Sequence, residues 1–190
     1  MNDQFFTDEN FKDLNHKKEA LKTADYEGCT FTNCNFSDHD FSNFRFTECN
    51  FIECDLSNCK LSKTAFQECQ FSTCKLIGLN FDHCESFAFS ISAENSVFDH
   101  SIFYGINLTK SRFNNSKFAN TDLSACDFSY SNLEGCDFQD AIFDNTILEK
   151  ANLRSAYNYS IDPENNKVKG AKFSLPEVTG LLEKYQLRIE

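Results

Sequence analysis

Large apolar residues recur at every fifth position over most of the chain. The series runs Tyr26, Phe31, Phe36, Phe41, Phe46, Phe51, Leu56, Leu61, Phe66, Phe71, Leu76 and Phe81. It falters at Ser86, returns at Ile91, and resumes at Phe98. From there it continues through Phe103, Leu108, Phe113, Phe118, Leu123, Phe128, Leu133, Phe138, Phe143, Leu148 and Leu153. A period of five is neither the 3.6 of a helix nor the 2 of a plain strand. The position two places before each large residue is usually small: Cys, Ser, Thr or Ala. In an extended segment, residues two apart point to the same side. Each repeat therefore sends one large and one small residue inward and leaves three polar positions in water. A three-residue strand followed by a two-residue corner meets this pattern. Successive corners wind the chain into a solenoid whose coils lie about 4.8 Å apart. The period alone allows coils of 15 or 20 residues.

The cysteines obey the same register. Cys29, Cys34, Cys49, Cys54, Cys59, Cys69, Cys74, Cys84, Cys126 and Cys136 all stand at the small inward position. Buried free cysteine behaves as a small hydrophobe. The closest spacing is C-x4-C, whereas zinc sites favour pairs such as C-x2-C. Core filler is thus the expected role, with no metal and no disulfide.

The repeats CDLSN (54–58), TDLSA (121–125), CDFSY (126–130), SNLEG (131–135), CDFQD (136–140) and ANLRS (151–155) resemble those of the pentapeptide-repeat family. The resemblance covers roughly residues 21–173. It implies an all-β, right-handed quadrilateral β-helix of 20 residues per coil in a single domain. Residues 1–24 are expected as an N-terminal cap and 25–173 as the solenoid, with a register break at 86–97. Residues 174–190 are expected as a C-terminal helix and tail. Ser174 and Glu177 form a capping-box pattern. Leu175, Val178, Leu181, Leu182 and Tyr185 recur at helical spacing, which predicts a short helix at about 175–184. Leu187 and Ile189 alternate with polar residues as in a short strand.

This ending resembles that of the quinolone-resistance (Qnr-type) branch. That resemblance implies a homodimer through Leu181, Leu182, Tyr185, Leu187 and Ile189. It also implies an acidic rod that imitates DNA, binds DNA gyrase or topoisomerase IV, and protects against quinolones. The chain carries no long insertion like the projecting loops of many Qnr-type proteins.

Charge bears on this reading. The formal net charge is −11, which argues against nucleic acid or an anionic membrane as a partner. With four faces to a coil and the two extra residues placed as a bulge near 92–96, the charge is modestly uneven and one face is the most acidic. It carries Asp25, Glu27, Glu48, Glu68, Glu85, Asp127 and Glu149 against Arg45, Lys110 and Lys150. Glu27, Glu48, Glu68, Glu85, Asp127 and Glu149 are the candidate partner-binding residues. A rigid interaction scaffold for a different protein partner is the competing reading.

Catalysis finds little support. His39 takes an inward place, and His83 and His100 fall on different faces, so no shared metal site is expected. The chain has six glycines and no phosphate-binding loop. A filled rod offers no evident substrate pocket, and no cofactor or small-molecule substrate is expected. No run of 18 apolar residues could span a bilayer. The start, MNDQFFTDENFKD, is unlike a secretory signal, so a cytoplasmic location is expected.

Overall fold

The computed structural model describes residues 4–188. The chain winds as a four-sided β-solenoid of about eight turns. Parallel pairing settles the coil length. On face 1, Phe6, Tyr26, Phe46 and Phe66 align in register, each 20 residues after the last. On face 2, Phe11, Phe31, Phe51 and Phe71 do the same. Single bridges carry face 3 through Asn35, Asp55 and Lys75, and face 4 through Asp40 and Lys60. The aromatic columns stack along the axis. Ring centroids of Phe31 and Phe51 lie 4.9 Å apart at 10°, and those of Phe98 and Phe118 5.0 Å apart at 8°. Neighbouring columns meet edge to face, as Phe46 and Phe51 do at 5.4 Å and 75°. Offset stacking and edge-to-face contacts are the two arrangements that aromatic quadrupoles favour.

The corners explain the polar part of the repeat. The second residue after almost every large one has a positive φ, as at Asp38 (66°), Asn58 (57°) and Asn120 (54°), His83 being an exception. Asn and Asp tolerate this region better than other side chains. On faces 3 and 4 the turn is closed by a backbone bond, such as His39 N–H to the Phe36 carbonyl at 2.9 Å. That pattern is a type II turn. The Asp or Asn before each large residue has its own task. Its side-chain oxygen accepts from the N–H two residues on, as Asp55 does from Ser57 (3.0 Å) and Asp122 from Ser124 (2.9 Å). These are Asx turns.

The small inward residues do more than fill space. Most of the hydroxyls and thiols reach a main-chain carbonyl of the preceding coil, commonly 23 residues back, whereas Ser131 and Ser116 bond within their own coil. Cys54 donates to Phe31 (3.3 Å), Cys59 to Phe36 (3.0 Å), Thr64 to Phe41 (2.8 Å) and Thr121 to Phe98 (3.0 Å). Cys136 donates likewise to the Phe113 carbonyl. Asn166 uses its amide for the same purpose, 3.1 Å from the Phe143 carbonyl. All ten thiols are free, and every one except Cys84 is buried.

The register break falls at the start of the expected span 86–97, ahead of the bulge placed near 92–96. Glu85 N–H still reaches the Thr64 carbonyl, but Ser90 N–H takes that of Phe66. The chain therefore loops out over residues 86–88 and returns with Phe89 in the Phe66 column. Beyond this point Ile91 pairs with Cys69 and Ala93 with Phe71. Ile91 is thus not a large-position residue, as the five-residue count suggests, but occupies the small position. Ala93 takes the large one. The swap roughly conserves core volume, which packed interiors tolerate best. On face 1 the sheet ends at Ala65–Gln67, whereas on face 2 it continues through Ile91–Glu94 to Phe113–Asn114.

Both ends differ in detail from the expected caps. Phe5–Thr7 and Asn10–Lys12 pair with Asp25–Glu27 and Thr30–Thr32, so the first coil begins inside the segment expected as a cap. At the other end, the expected helix at 175–184 is two 3₁₀ segments, Pro176–Leu181 and Glu183–Tyr185. The capping box does not form: the Ser174 hydroxyl instead accepts from Ser155 N–H at 2.8 Å. Val178, Thr179 and Gly180 are poor helix formers. Gly180 also lies so close to Tyr159 that a Cβ would collide with its carbonyl. Its own carbonyl accepts from Ile161 N–H at 3.0 Å. That backbone docking fixes the segment before an α-helix can propagate. No strand forms at Leu187, and Ile189 lies outside the described residues.

Candidate interaction face

Face 1 holds the carboxylates singled out from the sequence, together with the corner that leads to face 2. Along that corner the stacked residues are Asp8, Gly28, Glu48 and Glu68. Gly28 (φ 62°) leaves room there for the Asp8 carboxylate, which a Cβ would push aside. Glu27, Glu48, Glu68 and Glu85 are exposed. Arg45 turns to Asp25, 3.7 Å away. Glu48 and Glu68 have no ion-pair partner among the described residues. Beside them lies a shallow hollow lined by Asn50, Gln70, Ser90 and Ser92. Stacked carboxylates repel one another, at a cost of roughly a few tenths of a kcal/mol.

Past the loop the same corner changes sign. It continues as Lys110, Tyr130, Lys150 and Gly170. Lys150 Nζ lies 2.9 Å from the Tyr130 hydroxyl and 4.8 Å from its ring centre. Lys167 stacks on Ile147, and Lys169 lies beside Lys150 through the Lys150 N–H to Lys169 carbonyl bond. An acidic face running the full length of the rod is therefore not what forms. Asp127 and Glu149 sit half-buried in this cationic half. The Asp127 carboxylate is occupied by Ser129 N–H at 2.8 Å. The Glu85 carboxylate accepts from Phe87 N–H at 3.2 Å, within the loop. Face 1 thus has an acidic half at the N-terminal end and a basic half at the C-terminal end. Phe87, 76% exposed, stands at the join.

The residues expected at a dimer interface divide into two groups. Leu181 packs against the core of its own chain. Leu182, Tyr185 and Leu187 are exposed. The Tyr185 hydroxyl donates to Glu164 at 3.0 Å. Lys184 bridges Asp162 (2.6 Å) and Glu164 (2.7 Å), which clamps the tail to the last coil. An open groove separates this tail from the last coils. It is lined by Asp140, Tyr159, Glu177, Glu183 and neighbours. No group of three His, Cys, Asp or Glu residues could hold a metal ion among the described residues. No described helix is long and apolar enough to cross a membrane.

The repeat is matched by the pentapeptide-repeat family model, in copies covering residues 24–62, 49–85, 94–129 and 121–157. The chain is a pentapeptide-repeat protein. Among solved structures, a trypsin-treated form of QnrB1, a plasmid-mediated fluoroquinolone resistance protein, aligns at 18% identity and a TM-score of 0.77. That alignment covers 98% of this chain and 92% of QnrB1. Full-length QnrB1 aligns at 17% identity and a TM-score of 0.54, covering 97% and 100%. HetL, a pentapeptide-repeat protein involved in heterocyst differentiation regulation in the cyanobacterium Nostoc, aligns at 16% and 0.51 over 88% and 84%. At these identities the likeness is one of fold. No curated protein sequence matches the chain. Pentapeptide-repeat proteins are generally structural or interaction scaffolds, in keeping with a rod whose chemistry lies on its outer faces.

Proposed function

We propose that this pentapeptide-repeat protein is a non-catalytic, cytoplasmic DNA mimic. It binds DNA gyrase or topoisomerase IV and protects that enzyme from quinolones. The observation that carries this reading is the corner Asp8–Glu48–Glu68, where carboxylates stack with no cation between them. Such stacking opposes stability, so a rigid acidic lane suits a basic, DNA-binding surface on another protein. The likeness in fold to QnrB1, a plasmid-mediated fluoroquinolone resistance protein, is what prompts the quinolone part of this reading. In this reading Leu182, Tyr185 and Leu187 join two copies end to end.

The test is DNA supercoiling by purified gyrase and topoisomerase IV, with and without ciprofloxacin. Micromolar protein is expected to inhibit supercoiling or to lessen drug-induced cleavage, and Glu48→Lys with Glu68→Lys to lose the effect. Absence of both effects with the unsubstituted protein would overturn the reading.

A second reading is favoured by the cationic half of face 1, which a simple DNA mimic does not need. In it the rod is an interaction scaffold for a different protein. Capture of a partner other than a topoisomerase, lost on Lys150→Glu and kept on Glu48→Lys, would support it.

A further inference from the structure

The charge on face 1 is not only divided but ordered. Reading outward from the loop toward the N-terminus, the coils of Phe66, Phe46 and Tyr26 present Glu68, then Arg45 with Glu48, then Glu27. Reading outward toward the C-terminus, the coils of Phe128, Leu148 and the last turn present Asp127 with Tyr130, then Glu149 with Lys150, then Lys169. Reversing one copy of the rod and laying it on another sets the outer two members of each series against each other with opposite signs, and sets Glu68 against Tyr130.

We propose that face 1 is a self-complementary docking surface for a second, antiparallel copy of this chain. The two-fold axis crosses the face between the coils of Phe89 and Leu108. A two-fold lying in the contact plane and perpendicular to the rod keeps the lateral position of each residue and reverses the coil order. Glu27 then opposes Lys169 of the second copy, and Glu48 opposes Lys150. Arg45, the one cation of the acidic half, meets the coil of Glu149, the acid beside Lys150. Glu68 falls opposite Tyr130, and Asp127 of that coil lies at the other edge of the face, opposite Ala65.

Phe87, 76% exposed, lies next to the axis. Its burial supplies an apolar centre inside a charged rim, the usual anatomy of a specific interface. Exposed ion pairs are individually weak and screened by salt. The net charge of −11 per chain opposes association. The pairing is therefore reversible and salt-sensitive, stronger at low ionic strength. It covers Glu27 and Glu48, so the pair and a basic partner compete for one surface. This surface is distinct from the C-terminal contact of Leu182, Tyr185 and Leu187.

Sedimentation velocity on the full chain carrying Leu182→Glu and Tyr185→Glu isolates the side-by-side contact. A concentration-dependent dimer is expected at about 20 mM salt, and a monomer at about 0.5 M, where the Debye length falls to a few Å. Glu48→Lys alone and Lys150→Glu alone should each weaken the dimer by roughly tenfold. Glu48→Lys combined with Lys150→Glu should restore it, because the two introduced charges then face each other across the contact with their signs exchanged. The Glu27 and Lys169 exchange is a second, independent swap, should the first perturb the circular dichroism spectrum. A monomer at low salt, single reversals without effect, or swaps that fail to restore association would overturn the proposal. None of these outcomes depends on a topoisomerase.

Discussion

The Cys126 thiol donates a hydrogen bond to the Phe103 carbonyl, 2.8 Å away and 23 residues back along the chain. The same relation recurs with Thr146 and Leu123 at 2.9 Å and with Thr64 and Phe41 at 2.8 Å. It gives the small inward residue a reason to be Cys, Ser or Thr rather than Ala: the carbonyl it serves is buried. The Phe103 carbonyl also accepts from Ile106 N–H at 3.0 Å, so losing the thiol removes the second of its two bonds and leaves a void. Cys126→Ala should therefore destabilise the fold by about 2 kcal/mol. Cys126→Thr, which keeps a donor, should cost roughly half as much or less. Urea denaturation of the two variants measures the difference.

Thiol reactivity follows from the same packing. Nine of the ten cysteines are buried, and Cys84 is half-buried. Burial, with the Asp82 carboxylate nearby, raises the Cys84 pKa, so even this thiol is a poor nucleophile at neutral pH. Titration with a chromogenic thiol reagent should label at most Cys84 in the native protein, and slowly. All ten thiols should react in guanidinium chloride. Fast labelling of several thiols in native buffer would contradict this packing.

The aromatic columns should show graded losses. Phe118 is fully buried and stacks on Phe98 at 5.0 Å and on Phe138 at 5.3 Å. Phe118→Ala should cost about 3–5 kcal/mol. Phe6, half-buried in the first coil, stacks on Tyr26 at 4.9 Å. Phe6→Ala should cost about half that amount, because part of its surface already meets water. Thermal melts of both variants test the order.

His39 makes stability pH-dependent at the N-terminal end. Its ring meets Phe41 at 4.7 Å and Phe44 at 5.8 Å, and its Nε2 is buried with no hydrogen-bond partner. Burial, then the neighbouring His16, lowers its pKa; Asp40 opposes the shift. In the unfolded chain a histidine takes up a proton near pH 6.5. Just below that pH the unfolded state therefore binds more protons than the folded one. The stability that neutral His39 provides is complete above about pH 6.5 and is lost as the pH falls through that value. Urea midpoints at about pH 7.5 and pH 5.5, on either side of that value, should differ less in His39→Leu than in the unsubstituted protein.

Much of this architecture was legible in the residues, because the period of five leaves few alternatives. The Phe and Leu columns, the inward cysteines and the exposure of Glu48 and Glu68 all follow from counting. Other features depend on energies that counting does not see. Ser86 falls on the grid, but the chain loops past it, and Phe89 packs half-buried with its ring edge-on to Phe81 at 6.3 Å. Ile91 stays on the grid yet plays the small role, because the small Ala93, two residues on in the same strand, leaves room for it. The helical spacing of Leu181, Leu182 and Tyr185 was real, but docking of Gly180 on Tyr159 and Ile161 favoured the tighter 3₁₀ form. Lys167 and Lys169 escaped notice because the repeat motif fades after Leu153. The bridge from Ile147 to Lys167 and the Lys150 N–H to Lys169 carbonyl bond place them on face 1. The hydrogen-bonding role of the inward cysteines was also hidden, since composition cannot tell a donor from a filler.

The excursion at 86–88 leaves the stack and re-enters the column it left, while face 2 pairs straight past it. Its two feet are thus held at a fixed separation whatever lies between them. Extra sequence inserted there would hang from the rod as an appendage without changing the winding above or below. A lineage of such rods could acquire new binding tips at this one place at little risk to its fold.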